Sequence, residues 1–159
     1  MNIKGNTALV TGAASGIGRA VVEALISRGA AGVVLVDLAP EVEEVARELA
    51  TDGCQTLAFV GDTTDEDFRR KTFDEAQEKL GVIRICVPAA GITRDRMSVK
   101  IDKETGKAGT YPLSDFRLVL EINLTAPVFW AVEMMARIAE DRFAKGLKRW
   151  SPGEGVQGT

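Results

Sequence analysis

The chain has 159 residues, of which 45% are hydrophobic and 27% charged, with a formal net charge of −3 and no histidine. This is the balance of one ordinary globular domain; the acidic sign and the absence of basic-aromatic interleaving argue against a nucleic-acid partner, and the lack of imidazole excludes Ser-His and Cys-His hydrolases. Cys54 and Cys86 form neither a disulfide framework nor a metal-ligand spacing, so both read as packing residues and no metal site is expected.

In chain order, "MNIKGNTALVTG" lacks the apolar core and cleavage site of a secretory signal, and no run of about eighteen apolar residues follows. The expected setting is cytoplasmic, with no membrane partner. "TALVTG" reads as a short buried strand, after which Ile17, Ala20, Val21, Ala24 and Leu25 recur at helical spacing until Gly29 can end the helix. "GVVLVD" is a second buried strand. Pro40 can open a helix striped by Val42, Val45, Ala46 and Leu49, with Glu41, Glu43 and Glu44 complementing its dipole. "TLAFVGD" is a third strand. Thr64 is the expected N-cap of a helix with Asp65, Glu66 and Asp67 in its first turn and Phe68, Phe73, Ala76 and Leu80 on its apolar face. "VIRICV" is a fourth strand. Strands and helices alternating at this spacing imply βαβ units, a mostly parallel sheet and an α/β fold.

From Ile92 to Leu113 the periodicity fades, and "KIDKETGKAGTY" reads as an exposed polar loop. Ser114 is the expected cap of a long helical segment, "DFRLVLEINLTAPVFWAVEMMARIAEDRF", interrupted at Pro127 and apolar enough that much of its surface must be buried. Arg142, Lys145, Lys148 and Arg149 read as a solvated helix end, and "SPGEGVQGT" as a loop.

Chemistry is concentrated in "TGAASGIG", Thr11 to Gly18, at the junction of the first strand and helix. A helix starting at a strand's carboxyl edge offers unpaired N–H groups and a positive dipole end, which is an anion site. Gly12 can make the sharp exit, while Gly16 and Gly18, lacking Cβ, let a pyrophosphate and the neighbouring strand come close. Asp37 closes the second strand, where a dinucleotide fold places the carboxylate that accepts hydrogen bonds from the adenosine ribose. A carboxylate repels a 2′-phosphate, and neither Ser15 nor Leu38 supplies a compensating cation, so NAD is favoured over NADP. Arg19 and Arg28 are the nearest basic residues, and both are expected on the solvent face of the helix.

At the other end of the chain, Pro127 lies four residues after Asn123 and has no N–H. Within one helix the Asn123 carbonyl would then lack its usual donor and be free for another ligand. Alternatively, Asn123 ends one helix and Pro127 sits in the first turn of the next, which the residues alone favour.

These features resemble the short-chain dehydrogenases/reductases from Asn6 to about Phe143. "TGAASGIG" is similar to that family's TGxxxGxG turn, Asp62 with Thr63 to its adenine-binding Asp, "AAGI" to the end of its NNAG motif, and Asn123 in "INLTAP" to its active-site Asn. The resemblance implies a Rossmann-type three-layer αβα sandwich with sheet order beginning 3-2-1-4. It assigns cofactor contacts to Gly12, Ser15, Gly16, Ile17, Gly18, Asp37, Leu38, Asp62, Thr63, Ala89, Ala90 and Gly91. It also implies a catalytic role for Asn123, whose carbonyl in the family holds a water linked to a catalytic lysine. Association into a homodimer or homotetramer is implied through the long helix carrying Phe129, Trp130, Met134 and Met135; packing of these residues on their own sheet is the alternative.

Two departures stand out: Pro88 and Ala89 occupy the family's asparagine positions, and the stretch 92–122 is longer than family habit, its surplus near the substrate mouth. The family's proton-transferring tyrosine, with a lysine four residues on and a serine, has no counterpart here. Tyr111, the one tyrosine, precedes Asn123 and is followed four residues later by Asp115, which would raise a phenol's pKa. The expectation is a single dinucleotide-binding domain over residues 1–159, C-terminally incomplete, from a protein on the order of 250 residues. The expected activity is NAD-dependent hydride transfer on a secondary alcohol or ketone. "AGITRDRM" is similar to 3-oxoacyl-thioester reductases, and a 3-hydroxyacyl dehydrogenase direction would suit Asp37. The competing readings are a non-catalytic NAD-binding module and a truncated paralogue that pairs with an intact subunit.

Overall fold

A computed structural model describes residues 2–147. Its elements are β1 Thr7–Thr11, α1 Gly16–Ser27, β2 Gly32–Asp37, α2 Val42–Leu49, β3 Gln55–Val60, α3 Glu66–Leu80, β4 Ile83–Pro88, β5 Val99–Ile101, β6 Ala108–Thr110, α4 Leu113–Leu120 and α5 Ala126–Ala144. A π-helical turn, Glu121–Thr125, joins the last two helices. Strands β1 to β4 form one sheet in the order β3-β2-β1-β4, every pairing parallel.

Side-chain alternation along the strands divides the core between the two faces of this sheet. Ala8, Val10, Val33 and Leu35 point to the side covered by Val22 and Leu25 of α1 and by Val42, Val45 and Ala46 of α2. Leu9, Val34 and Val36 point to the other, where Phe73 and Ala76 of α3 meet Ala126, Trp130, Met134 and Ile138 of α5. The result is a three-layer α/β sandwich of Rossmann type, with the carboxyl ends of β1, β2 and β4 at one edge. Trp130 anchors the second layer, its ring centroid 5.7 Å from that of Phe73 and 6.3 Å from that of Phe68. Burying aromatics of this size contributes about 1.5–3 kcal/mol each.

Several local expectations are corrected. The buried stripe of α1 is Gly18, Val22 and Leu25, whereas Ile17, Ala20 and Ala24 face outward, because the helix starts at Gly16 and its phase is set by close packing at Gly18. Asp65, not Thr64, caps α3; its carboxylate accepts from the Phe68 N–H at 3.0 Å, while Thr64 is bound back to Asp62. Pro112 occupies the N-cap position of α4, and Ser114 lies inside the helix. The polar stretch after Ile92 is not loop throughout, since β5 and β6 pair as an antiparallel hairpin, exposed along both strands. Its turn is tied by Asp102, whose Oδ1 accepts from the Glu104 and Thr105 amides and the Thr105 hydroxyl.

Pro127 does not break the final helix. The Ala126 N–H reaches back five residues to the Glu121 carbonyl, so a π turn takes up the irregularity and Pro127 falls in the first turn of α5. The run Leu113–Ala144 is, by length and composition alone, long and apolar enough to cross a membrane. One face of α5 lies on the sheet through Trp130 and Met134, so these two pack on their own chain, while Phe129 and Met135 are exposed. Arg84 of β4 is paired with Asp141 of α5 at 3.0 Å, and Lys145 also binds Asp141. Lys148, Arg149 and the tail lie outside the described residues.

Candidate dinucleotide and active site

The predicted residues gather at the carboxyl edge of the sheet. Gly12 and Gly16 have φ of +68° and +53°, values that favour glycine. Space adds a second demand at two positions. A Cβ on Gly12 would lie 2.8 Å from Ala90 backbone atoms, and one on Gly18 would lie 2.0 Å from the Gly12 carbonyl oxygen. Gly18 thus serves the chain's own turn, while a Cβ on Gly16 would meet only open space. The first intrahelical bond of α1 runs from the Arg19 N–H to the Ser15 carbonyl, so the amides of Gly16, Ile17 and Gly18 have no helical acceptor. The cradle therefore has a close-packed floor and an open side with unpaired donors, which fits a bound anion.

Asp37 stands beside it, Oδ2 accepting from the Ala14 N–H at 2.9 Å and Oδ1 from the Ala39 N–H at 3.0 Å. Leu38 and Ile17 are large apolar side chains left 70% and 80% exposed. Arg19 is bound by Glu23 and Glu48 on the solvent side, as the sequence implies. The Glu23 hydrogen bond, with the charge of Glu48, raises the Arg19 pKa.

After β3, Asp62 Oδ1 accepts from both the amide and the hydroxyl of Thr64. Thr63 is buried, and its carbonyl accepts from the Trp130 indole N–H at 2.9 Å. For Trp130 the sequence offered an association helix or packing on its own sheet, and what it missed is the bond to Thr63, which no spacing in the chain signals.

At β4, Pro88 pairs in register with Thr11, and Ala89, Ala90 and Gly91 continue past the strand. The Thr11 hydroxyl accepts from the Ala90 N–H at 3.1 Å and ties the glycine turn to β4. Asn123, in the π turn, grips the same loop further on: its Oδ1 accepts from the Ile92 N–H at 2.9 Å and its Nδ2 donates to the Ile92 carbonyl at 2.8 Å. Gly91 lies close beneath this grip, and a Cβ there would sit 3.3 Å from Asn123 Oδ1, a tight contact. The Tyr111 hydroxyl is engaged elsewhere, donating to the Arg94 carbonyl at 2.8 Å. Desolvation on β4 pushes the Cys86 thiol up to about 12, and burial raises Cys54, consistent with packing roles. No cluster of metal-ligating side chains occurs among the described residues.

A profile of the short chain dehydrogenases matches residues 6–145. The chain is 35% identical to zerumbone synthase of Zingiber zerumbet over 139 residues, 87% of this chain and 48% of that protein. It is 27% identical to the 3-oxoacyl-(acyl-carrier-protein) reductase FabG of Aquifex aeolicus over 146 residues, 91% of this chain and 55% of that one. The crystal structure of a short-chain type dehydrogenase/reductase from Mycobacterium marinum superposes with a TM-score of 0.70 at 28% identity, covering 88% of this chain and 51% of the other. The chain spans about half the length of these relatives. With the glycine turn, the parallel sheet and the Asn123 turn in place, the chain belongs to the short-chain dehydrogenase family of NAD(P)-using oxidoreductases.

Proposed function

We propose that the protein containing this chain is an NAD-dependent oxidoreductase acting on a secondary alcohol or ketone. The observation that carries the reading is the Thr11–Gly18 turn, with its unpaired amides, its open side at Gly16 and a carboxylate at the end of β2. Gly12, Ser15, Gly16, Ile17 and Gly18 would hold the pyrophosphate, and Asp37 and Leu38 the adenosine ribose. Asp62 and Thr63 would flank the adenine, and Ala89, Ala90 and Gly91 would line the path toward the reacting end. NAD is favoured because Asp37 would repel a 2′-phosphate and Arg19, in the first turn of α1, is held by Glu23 and Glu48.

When bound, the nicotinamide supplies a hydride donor or acceptor. This chain's part in the proton path falls to Asn123. Its side chain is committed to Ile92, which leaves its carbonyl, in the π turn four residues before Pro127, as the group that would hold a water if it acts as its family resemblance implies. The serine, tyrosine and lysine of the family's chemistry are assigned outside these residues, Tyr111 being spent on Arg94. Similarity to the Aquifex aeolicus reductase supports a 3-oxoacyl or 3-hydroxyacyl thioester as substrate. The outward row Leu120, Leu124, Val128, Val132 and Met135 suits a homo-oligomer, and the setting we propose is the cytoplasm.

A second reading, a non-catalytic NAD-binding module, draws on Pro88 and Ala89, although the Thr11–Ala90 bond still braces β4. Calorimetric titration of the full-length protein with NAD and NADP, followed by assay on 3-hydroxyacyl and 3-oxoacyl thioesters, tests both readings. NAD binding with turnover supports the enzyme, NAD binding without turnover on any secondary alcohol supports the module, and binding of neither cofactor overturns both.

A further inference from the structure

Asp37 divides its carboxylate between two turns, Oδ2 accepting from Ala14 and Oδ1 from Ala39. One residue earlier, the Val36 carbonyl accepts from the Ala13 N–H at 3.2 Å. Two consecutive amides of the glycine turn are therefore strapped to the last two residues of β2. The strap lies between Gly12 and Gly16, the two positions of this turn where φ is positive and the backbone is least restrained by its own sterics. The amides that remain without a helical acceptor, Gly16 to Gly18, begin two residues beyond Ala14.

We propose that Asp37 governs cofactor binding twice, once at the ribose and once as a positioning residue that holds Ala14 and thereby the anion-binding shape of the Gly16–Gly18 amides. This rests on the NAD reading above. The two roles differ in sign toward an anion. A carboxylate that only reads the ribose also repels a nearby phosphate, so its removal strengthens the binding of a pyrophosphate group that lacks ribose hydroxyls. A carboxylate that holds the cradle weakens that binding when removed. It follows that neutral replacement of Asp37, the obvious way to admit a 2′-phosphate, loosens the cradle on which NAD and NADP both depend.

The probe is 2′,3′-dideoxyadenosine 5′-diphosphate, which keeps the adenine and pyrophosphate but offers Asp37 no hydroxyl. Wild type, Asp37→Ala and Asp37→Leu are compared in the full-length protein by calorimetry, and by hydrogen-exchange mass spectrometry of a peptide spanning residues 11–18 without cofactor. The expected result is about tenfold faster exchange in that peptide and about tenfold weaker binding of the probe in Asp37→Ala, the scale of one charge-assisted hydrogen bond. Unchanged exchange, or probe binding equal to or tighter than wild type, overturns the proposal. Asp37→Leu, similar in size and without an acceptor, is carried through the same two readouts and decides the matter if Asp37→Ala does not fold. Failure of wild type to bind NAD overturns the functional reading alone, and the exchange comparison then decides whether Asp37 holds Ala14.

Discussion

The side-chain amide of Asn123 and the backbone of Ile92 exchange two hydrogen bonds, 2.9 Å and 2.8 Å, that close the turn after Gly91 onto the π-helical segment. Asn123 is thus engaged structurally through its side chain even where its carbonyl is the group assigned to the proton path. Asn123→Ala removes both bonds and is expected to lower stability by about 1–2 kcal/mol, each net bond being worth roughly 1 kcal/mol. Urea unfolding checks this. Asn123→Asp leaves the acceptor for the Ile92 N–H and sets a carboxylate against the Ile92 carbonyl, so its loss is expected to be the larger.

The glycines of the turn are not equivalent. Gly18→Ala drives a methyl to within 2.0 Å of the Gly12 carbonyl oxygen and is expected to cost at least about 3 kcal/mol, the upper range for overpacking against backbone that cannot yield. Gly16→Ala enters open space and carries only the strain of a positive φ, about 1–2 kcal/mol. Thermal denaturation of the two variants side by side should show Gly18→Ala much the less stable.

Trp130→Phe keeps an aromatic ring against Phe68 and Phe73 but leaves the buried Thr63 carbonyl without its donor. The expected loss is about 1–3 kcal/mol. Hydrogen exchange should show it as loosening around residues 62–65 in addition to a lower melting temperature. A variant as stable as wild type with that loop unchanged would mean the bond contributes nothing.

Asp141 has a lowered pKa, first because Lys145 hydrogen-bonds its carboxylate and further because Arg84 lies beside it. A folded-state value below the unfolded one makes the ionised carboxylate stabilising above the unfolded pKa, and that contribution is lost as pH falls through the folded value. Asp141→Asn is therefore expected to be less stable than wild type at neutral pH, with the gap closing as pH falls below about 4. Melting temperatures of the pair from pH 7 to pH 3 measure this, and a gap independent of pH would contradict it.

The strands and most helices were legible because each writes its burial into the chain. The continuous apolar runs of β1 and β2 reflect burial on both faces of a parallel sheet, and Val42, Val45 and Ala46 mark one face of a helix. The glycine turn was legible for a related reason, since positive φ and close approach both select residues without Cβ. The β5–β6 hairpin was not, because both strands are solvated and no apolar alternation is required of them. The phase of α1 was misjudged because Ile17 is apolar yet exposed, at the mouth of the site.

By itself, then, the sequence determined the order of β1 to β4 and the helices between them, the parallel sheet, the place of the glycine turn and the carboxylate at the end of β2, all of which depend on local periodicity and backbone sterics. Only the tertiary structure decided which partners those residues keep. The Asp37 link to Ala14 spans 23 residues, the Asn123 link to Ile92 spans 31 and the Trp130 link to Thr63 spans 67. Each joins a side chain to a backbone amide or carbonyl, groups that every residue carries alike, so no pattern of residue types announces them.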